Sequence, residues 1–265
     1  MFFKGWQKIS LNEWSGKVCS VVFVSGCNFR CPYCHNKDLV LFPDKLPSIN
    51  SEDVLDYCFK NRDLIDGVVI TGGEPLQNKK LNIKYKKRNT KNKLAKHESS
   101  DGAEKLEDDL VEFIKQVRKI NLKVGLETNG SNPEMLEYLV KNKLVDYVAM
   151  DIKVPLNQKK YNQLTGVKID LQKIKKSIKI IKSLPFTNRQ GEFRTTVVPG
   201  WHSQKDLIEI AKELKGFEGC YYLQKFIKSR ETLGIIPKAE QYSNDWFKQA
   251  EQRINKIIKK INLRI

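Results

Sequence analysis

A chain of 265 residues with 40% apolar side chains can bury a sizeable core in one large α/β domain, which excludes global disorder. No run of 18 apolar residues occurs, which excludes a membrane-spanning helix, and the opening MFFKGWQKIS lacks the apolar stretch and cleavage site of a secretory leader, so a cytoplasmic protein is expected. The net charge of +17 is concentrated in residues 79–105, 168–182 and 238–265, and these segments lack the interleaved aromatics of a nucleic-acid stacking platform.

In chain order, the first strand is predicted at 18–25 and runs into SGCNFRCPYCHN. A helix at 51–61, capped by Ser51, leads to a strand at 67–71 that ends in GGEP. Residues 78–105 are lysine-rich with little apolar periodicity, and predict a solvated, flexible insertion. A helix at 106–120 precedes a strand at 122–128 ending in ETNG, and a helix at 133–142 precedes a strand at 145–152 ending in DIK. Beyond them come a helix at 171–184, a strand at 193–198 followed by PGW, a helix at 204–215, a strand at 220–226 and a helix at 244–260. The runs VVFV, GVVIT and TTVV read as strands buried on both faces.

Strand–helix alternation argues for a parallel sheet with crossover helices. Six units are too few for an eight-fold barrel, so a single α/β domain over 1–265 is expected, an open partial (β/α)6 barrel with an insertion at 78–105. Chemistry in such folds gathers at the carboxyl ends of the strands. The segments with distinctive residues all follow strands in that sense.

Six cysteines occur: Cys19, Cys27, Cys31, Cys34, Cys58 and Cys220. A disulfide scaffold would be smaller and denser in cysteine. Cys27, Cys31 and Cys34 form a C-x3-C-x2-C cluster, and four chemistries compete for it. A C-x-x-C dithiol normally sits in a smaller thioredoxin-like fold, and a C-x-x-C-H haem attachment needs export. A structural zinc wants four ligands, and His35 adjoins Cys34 too closely to complete the set easily. Three thiolates can instead hold a [4Fe–4S] cube with one iron open, where an electron-transfer cluster would use four cysteines. The last reading agrees best with the neighbouring motifs. Cys19, Cys58 and Cys220 are scattered and read as buried structural thiols.

This spacing, with the aromatic Tyr33 just before the third cysteine, resembles the radical S-adenosylmethionine (SAM) superfamily. The resemblance implies that Cys27, Cys31 and Cys34 ligate the cluster and that the open iron chelates SAM. Reductive cleavage of SAM then gives a 5′-deoxyadenosyl radical. It also implies that the turn Gly72, Gly73 and Glu74 binds the SAM amino group. Glu127–Thr128 and Asp151–Lys153 look like the (D/E)TNG and D-(L/I)-K segments of glycyl-radical-enzyme activases. There the lysine approaches SAM, and acidic groups lie near it, around a monovalent cation. Arg194 is expected to face the same site, and His202 to be an ordinary loop residue. Residues 223–226 read LQKF and lack the histidine that pyruvate formate-lyase activases carry after the sixth strand. The segments GWQKISL, GCNFRCPYCHN and VAMDIKVPL, with Tyr161 beyond, are similar to the anaerobic ribonucleoside-triphosphate reductase activating branch. The implied activity is an oxidoreductase that places a glycyl radical on a class III anaerobic ribonucleotide reductase, fed by a flavodoxin- or ferredoxin-like electron donor. A radical SAM enzyme acting on a small molecule or RNA, and a zinc or redox module, are the alternatives.

Overall fold

The computed structural model describes residues 1–77, 109–184, 190–228 and 231–265. The insertion expected at 78–105 lies outside them. Strands β1 (Phe2–Phe3), β2 (Gly5–Ser10) and β3 (Cys19–Val24) are followed by helix α1 (Lys37–Leu41), strand β4 (Ile49–Asn50), helix α2 (Ser51–Lys60) and strand β5 (Gly67–Gly72). Helix α3 (Asp109–Lys119), strand β6 (Lys123–Thr128), helix α4 (Pro133–Lys141) and strand β7 (Tyr147–Asp151) continue the alternation. Helices α5 (Gln158–Thr165) and α6 (Leu171–Lys182), strand β8 (Gln190–Val197), helix α7 (Gln204–Glu213), strand β9 (Cys220–Lys225), helix α8 (Asn244–Ile254) and strand β10 (Ile261–Arg264) complete it.

Eight strands form one sheet in the order β10-β9-β8-β7-β6-β5-β3-β2. Seven run parallel, and β2 joins the edge of β3 antiparallel. The end strands β10 and β2 do not meet, so the barrel is open, as expected. The six strands expected from sequence are β3 and β5 to β9, in consecutive order. The additions are the two outer strands and a separate pairing of β1 with β4. No helix among the described residues is long and apolar enough to cross a membrane.

Alternation along the strands sorts their side chains into two layers. Val22, Val68, Ile70, Val124, Leu126, Val148 and Met150 face the helices in the main core. Cys19, Val21, Val69, Tyr147 and Ala149 face inward and pack with Trp14, from the loop before β3. The Trp14 indole stacks on Tyr147, with centroids 4.9 Å apart, and donates to the Gln190 side chain at 2.8 Å. Gly125 makes room for it: a Cβ there would meet Val69, Tyr147 and Trp14 at 3.0–3.2 Å. The inner face is thereby closed at the strand starts and left open at the strand ends.

Several elements differ from expectation. Asn50, not Ser51, caps α2, its side chain accepting from the Glu52 N–H. Helix α5, unforeseen, starts at an Asn157 cap and ends at Gly166 with φ +69°. Helix α8 stops at Ile254 rather than 260, and β10 follows parallel to β9. Ile254, Ile258 and Ile261 are all buried at i, i+4 and i+7, a helical spacing that the chain satisfies through a turn and a strand instead.

Candidate functional site

The cysteine loop leaves β3 at Val24 and is held by its backbone on three sides. From the GGEP turn, the Gly73 N–H donates to Val24 O at 3.0 Å and the Glu74 N–H to Gly26 O at 2.8 Å. At the end of α5, Thr165 O accepts from the Arg30 N–H at 2.7 Å. Beyond β9, the Leu233 N–H reaches Cys34 O at 3.0 Å and the Gly234 N–H reaches Pro32 O at 2.8 Å. With the main chain so occupied, the thiols are free to face the interior. None of the three is in a disulfide.

The paired glycines are required by this loop-to-loop contact. Gly72 has φ +117°, and a Cβ on Gly73 would lie 1.7 Å from Gly26 O. The close approach expected towards a ligand is spent, at least in part, on the cysteine loop. Gly73→Ala must push the two loops apart, and should cost about 1–3 kcal/mol, with iron uptake falling alongside. Denaturant unfolding and an iron count measure both. An unchanged unfolding midpoint would mean the loops separate freely.

A cavity of about 320 Å³ opens at the carboxyl ends of the inner strands. Cys27, Cys31, Tyr33 and Cys34 line it from β3's loop, and Gly72, Gly73 and Glu74 from β5's turn. Glu127 and Thr128 come from β6, Asp151 and Lys153 from β7, and Arg194 from β8. Every residue singled out from sequence is therefore brought to one cavity. Sequence reasoning missed Thr71, Asn129, Thr196 and Leu233, which also line it. Asn129 was legible within ETNG, whereas Leu233 carries no motif.

The lining residues are not equally available. Glu74 is 1% exposed and accepts from Thr128 Oγ1 at 2.7 Å, Asn129 N–H at 2.6 Å and Leu76 N–H at 3.1 Å. It ties the GGEP turn to the ETNG turn. Asn129 in turn donates to Asn28 Oδ1 at 2.9 Å in the cysteine loop. Arg194 lies at the cavity floor, its guanidinium shared between Glu127, Glu192, the Glu13 carbonyl at 2.7 Å and the Tyr147 hydroxyl at 2.7 Å. Glu127 also accepts from Thr71 Oγ1 at 2.8 Å. Glu74, Glu127 and Arg194, all three expected at the cofactor, thus spend their polar atoms on the protein.

Lys153 differs. Its ammonium meets Asp151 at 2.6 Å and stands 5.7 Å from the Tyr33 ring centroid. Burial is the largest influence and opposes its charge, but Asp151, Tyr33 and Cys31 together more than offset that and keep it protonated well above the ordinary lysine range. One of its three N–H donors serves Asp151, which leaves donors for an anion in the cavity.

Burial pushes the Cys27 thiol up to about 11 and Cys31 up to about 12, and raises Cys34. Metal binding here must displace protons. Among the described residues no group of three or more His, Cys, Asp or Glu is already arranged around a metal-sized point. The thiols share a cavity without forming a finished triangle, and Glu127 and Asp151 form no ready cation cage.

Glu74 gives the fold a pH dependence. Desolvation outweighs its three hydrogen bonds and lifts it to about 7, from an ordinary 4.5. A carboxyl with a raised folded pKa contributes stability fully below pH 4.5 and loses it as pH rises through about 7. The slope of stability against pH across that window should therefore shrink in Glu74→Gln. Thermal melts of both proteins between these pH values check it, and equal slopes would remove Glu74 as the source.

The sequence model of the radical SAM superfamily matches residues 21–214. The Methanocaldococcus jannaschii protein named "Putative glycyl-radical enzyme activating enzyme MJ1227" is 31% identical over 222 residues, which span 82% of this chain and 77% of that protein. The pyruvate formate-lyase-activating enzyme of Listeria monocytogenes is 26% identical over 154 residues, 55% of this chain and 50% of its own. Among solved structures, Streptococcus suis SuiB superposes with a TM-score of 0.60 at 14% identity, covering 92% of this chain and 48% of that one, a likeness of fold. The chain thus spans about half the length of the Listeria enzyme and of SuiB.

Proposed function

The chain belongs to the radical SAM superfamily, and from that membership we propose that it is a glycyl-radical-enzyme activase whose cluster is held by Cys27, Cys31 and Cys34. The family implies a [4Fe–4S] cluster and SAM. The donor set of this cavity fits them: three free thiols on one loop, with a protonated lysine lining the same cavity beyond β7. Bound together, cluster and SAM supply one-electron cleavage of a carbon–sulfur bond and a hydrogen-abstracting radical. The protein's part is placement. The backbone brace on the cysteine loop fixes the thiols, and Glu74 locks the two glycine-bearing turns against that loop. Lys153 offers its free N–H donors to a carboxylate, with Asp151 on its other side and Tyr33 packed alongside.

The observation that carries the activase reading is the 31% identity to the M. jannaschii protein across most of both chains. The partner we favour is a class III anaerobic ribonucleotide reductase, because residues 223–226 lack a histidine while GWQKISL and VAMDIKVPL match that branch. A flavodoxin- or ferredoxin-like protein would supply the electron, and the chain would act as a single domain. A monovalent cation beside Glu127 and Asp151 remains part of the reading, and potassium or sodium dependence of SAM cleavage tests it.

Electron paramagnetic resonance tests the function. Reconstituted protein, SAM, a reductant and the candidate reductase should give the doublet of a glycyl radical, and replacing the reductase's target glycine with alanine should erase it. SAM cleavage with no radical on any glycyl-radical enzyme would favour a small-molecule or RNA substrate instead.

A further inference from the structure

The strand-exit turn that carries Lys153 is pinned at each of its peptide groups. The Ile152 N–H donates to Arg194 O at 2.8 Å, and Ile152 O accepts from Thr195 Oγ1 at 2.8 Å. The Lys153 N–H reaches the Tyr161 hydroxyl at 3.3 Å. Lys153 O meets His202 Nε2 at 2.7 Å. Of these partners His202 is the one that comes from outside the neighbouring strand and helix, in the turn after β8.

His202 is 1% exposed, although sequence alone reads it as an ordinary loop residue. Its Nδ1 accepts from the Val198 N–H at 3.1 Å, which places the ring proton on Nε2, where it donates to Lys153 O. Burial holds its pKa below the usual histidine value, so the ring stays neutral and keeps this tautomer. The ring is itself anchored: the His202 N–H donates to Val198 O at 3.1 Å, and the Tyr242 hydroxyl donates to His202 O at 2.6 Å.

We propose that His202 is a positioning residue for the SAM site, its Nε2–H fixing the Lys153 carbonyl so that the Lys153 ammonium is aimed into the cavity. The inference rests on the reading that Lys153 contacts SAM. The two ring nitrogens do different jobs, which makes the idea separable from simple turn capping. Glutamine at 202 can set an amide donor where Nε2 stands. Asparagine can replace the Nδ1 acceptor but is too short to reach Lys153.

The test is SAM affinity by equilibrium titration of reconstituted protein, with iron content and unfolding midpoint measured on the same samples. His202→Gln should bind SAM within about twofold of wild type, and His202→Asn and His202→Ala about tenfold more weakly, the scale of one buried hydrogen bond. In Lys153→Ala, adding His202→Ala should cost no further affinity, because the second change acts only through the first. Wild-type affinity in His202→Asn would overturn the proposal, as would equal losses in the Gln and Asn variants or additive losses in the double variant. Weak binding by Lys153→Ala alongside silent His202 variants would sink this inference and leave the cofactor site standing. Normal binding by Lys153→Ala would sink both.

Discussion

Cys27→Ala, Cys31→Ala and Cys34→Ala should each leave the anaerobically reconstituted protein without a stable cluster and abolish SAM cleavage. The three thiols face one cavity, and the loop bearing them is braced by backbone bonds from three separate segments. Two thiolates cannot hold a cube that three hold with one iron open. Two of the remaining cysteines are internal controls. Cys58 is fully buried in the helix-facing core, and Cys220 starts β9, at the strand end opposite the cavity, where the Asn262 amide donates to it at 3.0 Å. Cys58→Ala and Cys220→Ala should keep both iron and cleavage, with Cys58→Ala losing only packing stability. Iron and sulfide counts with a SAM-cleavage assay decide this. About four irons per chain retained in the triple variant would end the assignment.

Three of the inner strands were legible because VVFV in β3, GVVIT in β5 and TTVV in β8 are short β-branched runs buried on both faces. The ends of the fold were not. Strand β2 is half exposed, so its alternation is blurred, and β10 has only four residues behind a helix whose apolar spacing runs on through it. Within the site, residue types and strand-end positions pointed to the carboxyl ends of the strands, and the structure brings those residues to one cavity there. Side-chain partnerships were a different matter. Arg194 was expected to face a ligand, but Glu192 and Tyr147 lie on the same inner face and absorb its donors. Glu192 is two residues away on the same strand, so half of that pairing could have been read; the Tyr147 half depends on register between β7 and β8. His202 shows the same limit. A lone histidine after PGW has no motif, and its role exists only because the turn after β8 folds back onto the turn after β7.

Lys153→Ala should weaken SAM binding by about ten- to a hundred-fold, from the loss of a charge-assisted hydrogen bond of roughly 1.5–3 kcal/mol. The ammonium is largely enclosed, with a side chain 13% exposed, so water does not screen it as it would a surface lysine. Its removal leaves Asp151 without its partner, but that carboxylate is 37% exposed and can recover hydration, so the fold should lose little. Affinity and stability are therefore expected to separate, which a merely structural lysine would not allow. Iron content should stay at the wild-type level, since the ammonium is no ligand to metal. Lys153→Arg keeps the charge but presents a planar fork in place of a compact ammonium beside Tyr33, and should recover only part of the affinity. Because Asp151, Tyr33 and Cys31 together hold Lys153 protonated well above the ordinary lysine range despite its burial, SAM affinity should not fall with pH on its account anywhere below that range. Titrations with the cofactor at several pH values, on samples of equal iron content, measure all of this. Wild-type affinity in Lys153→Ala would remove the residue from the cofactor site and leave the Asp151 pair as a strand-end ion pair.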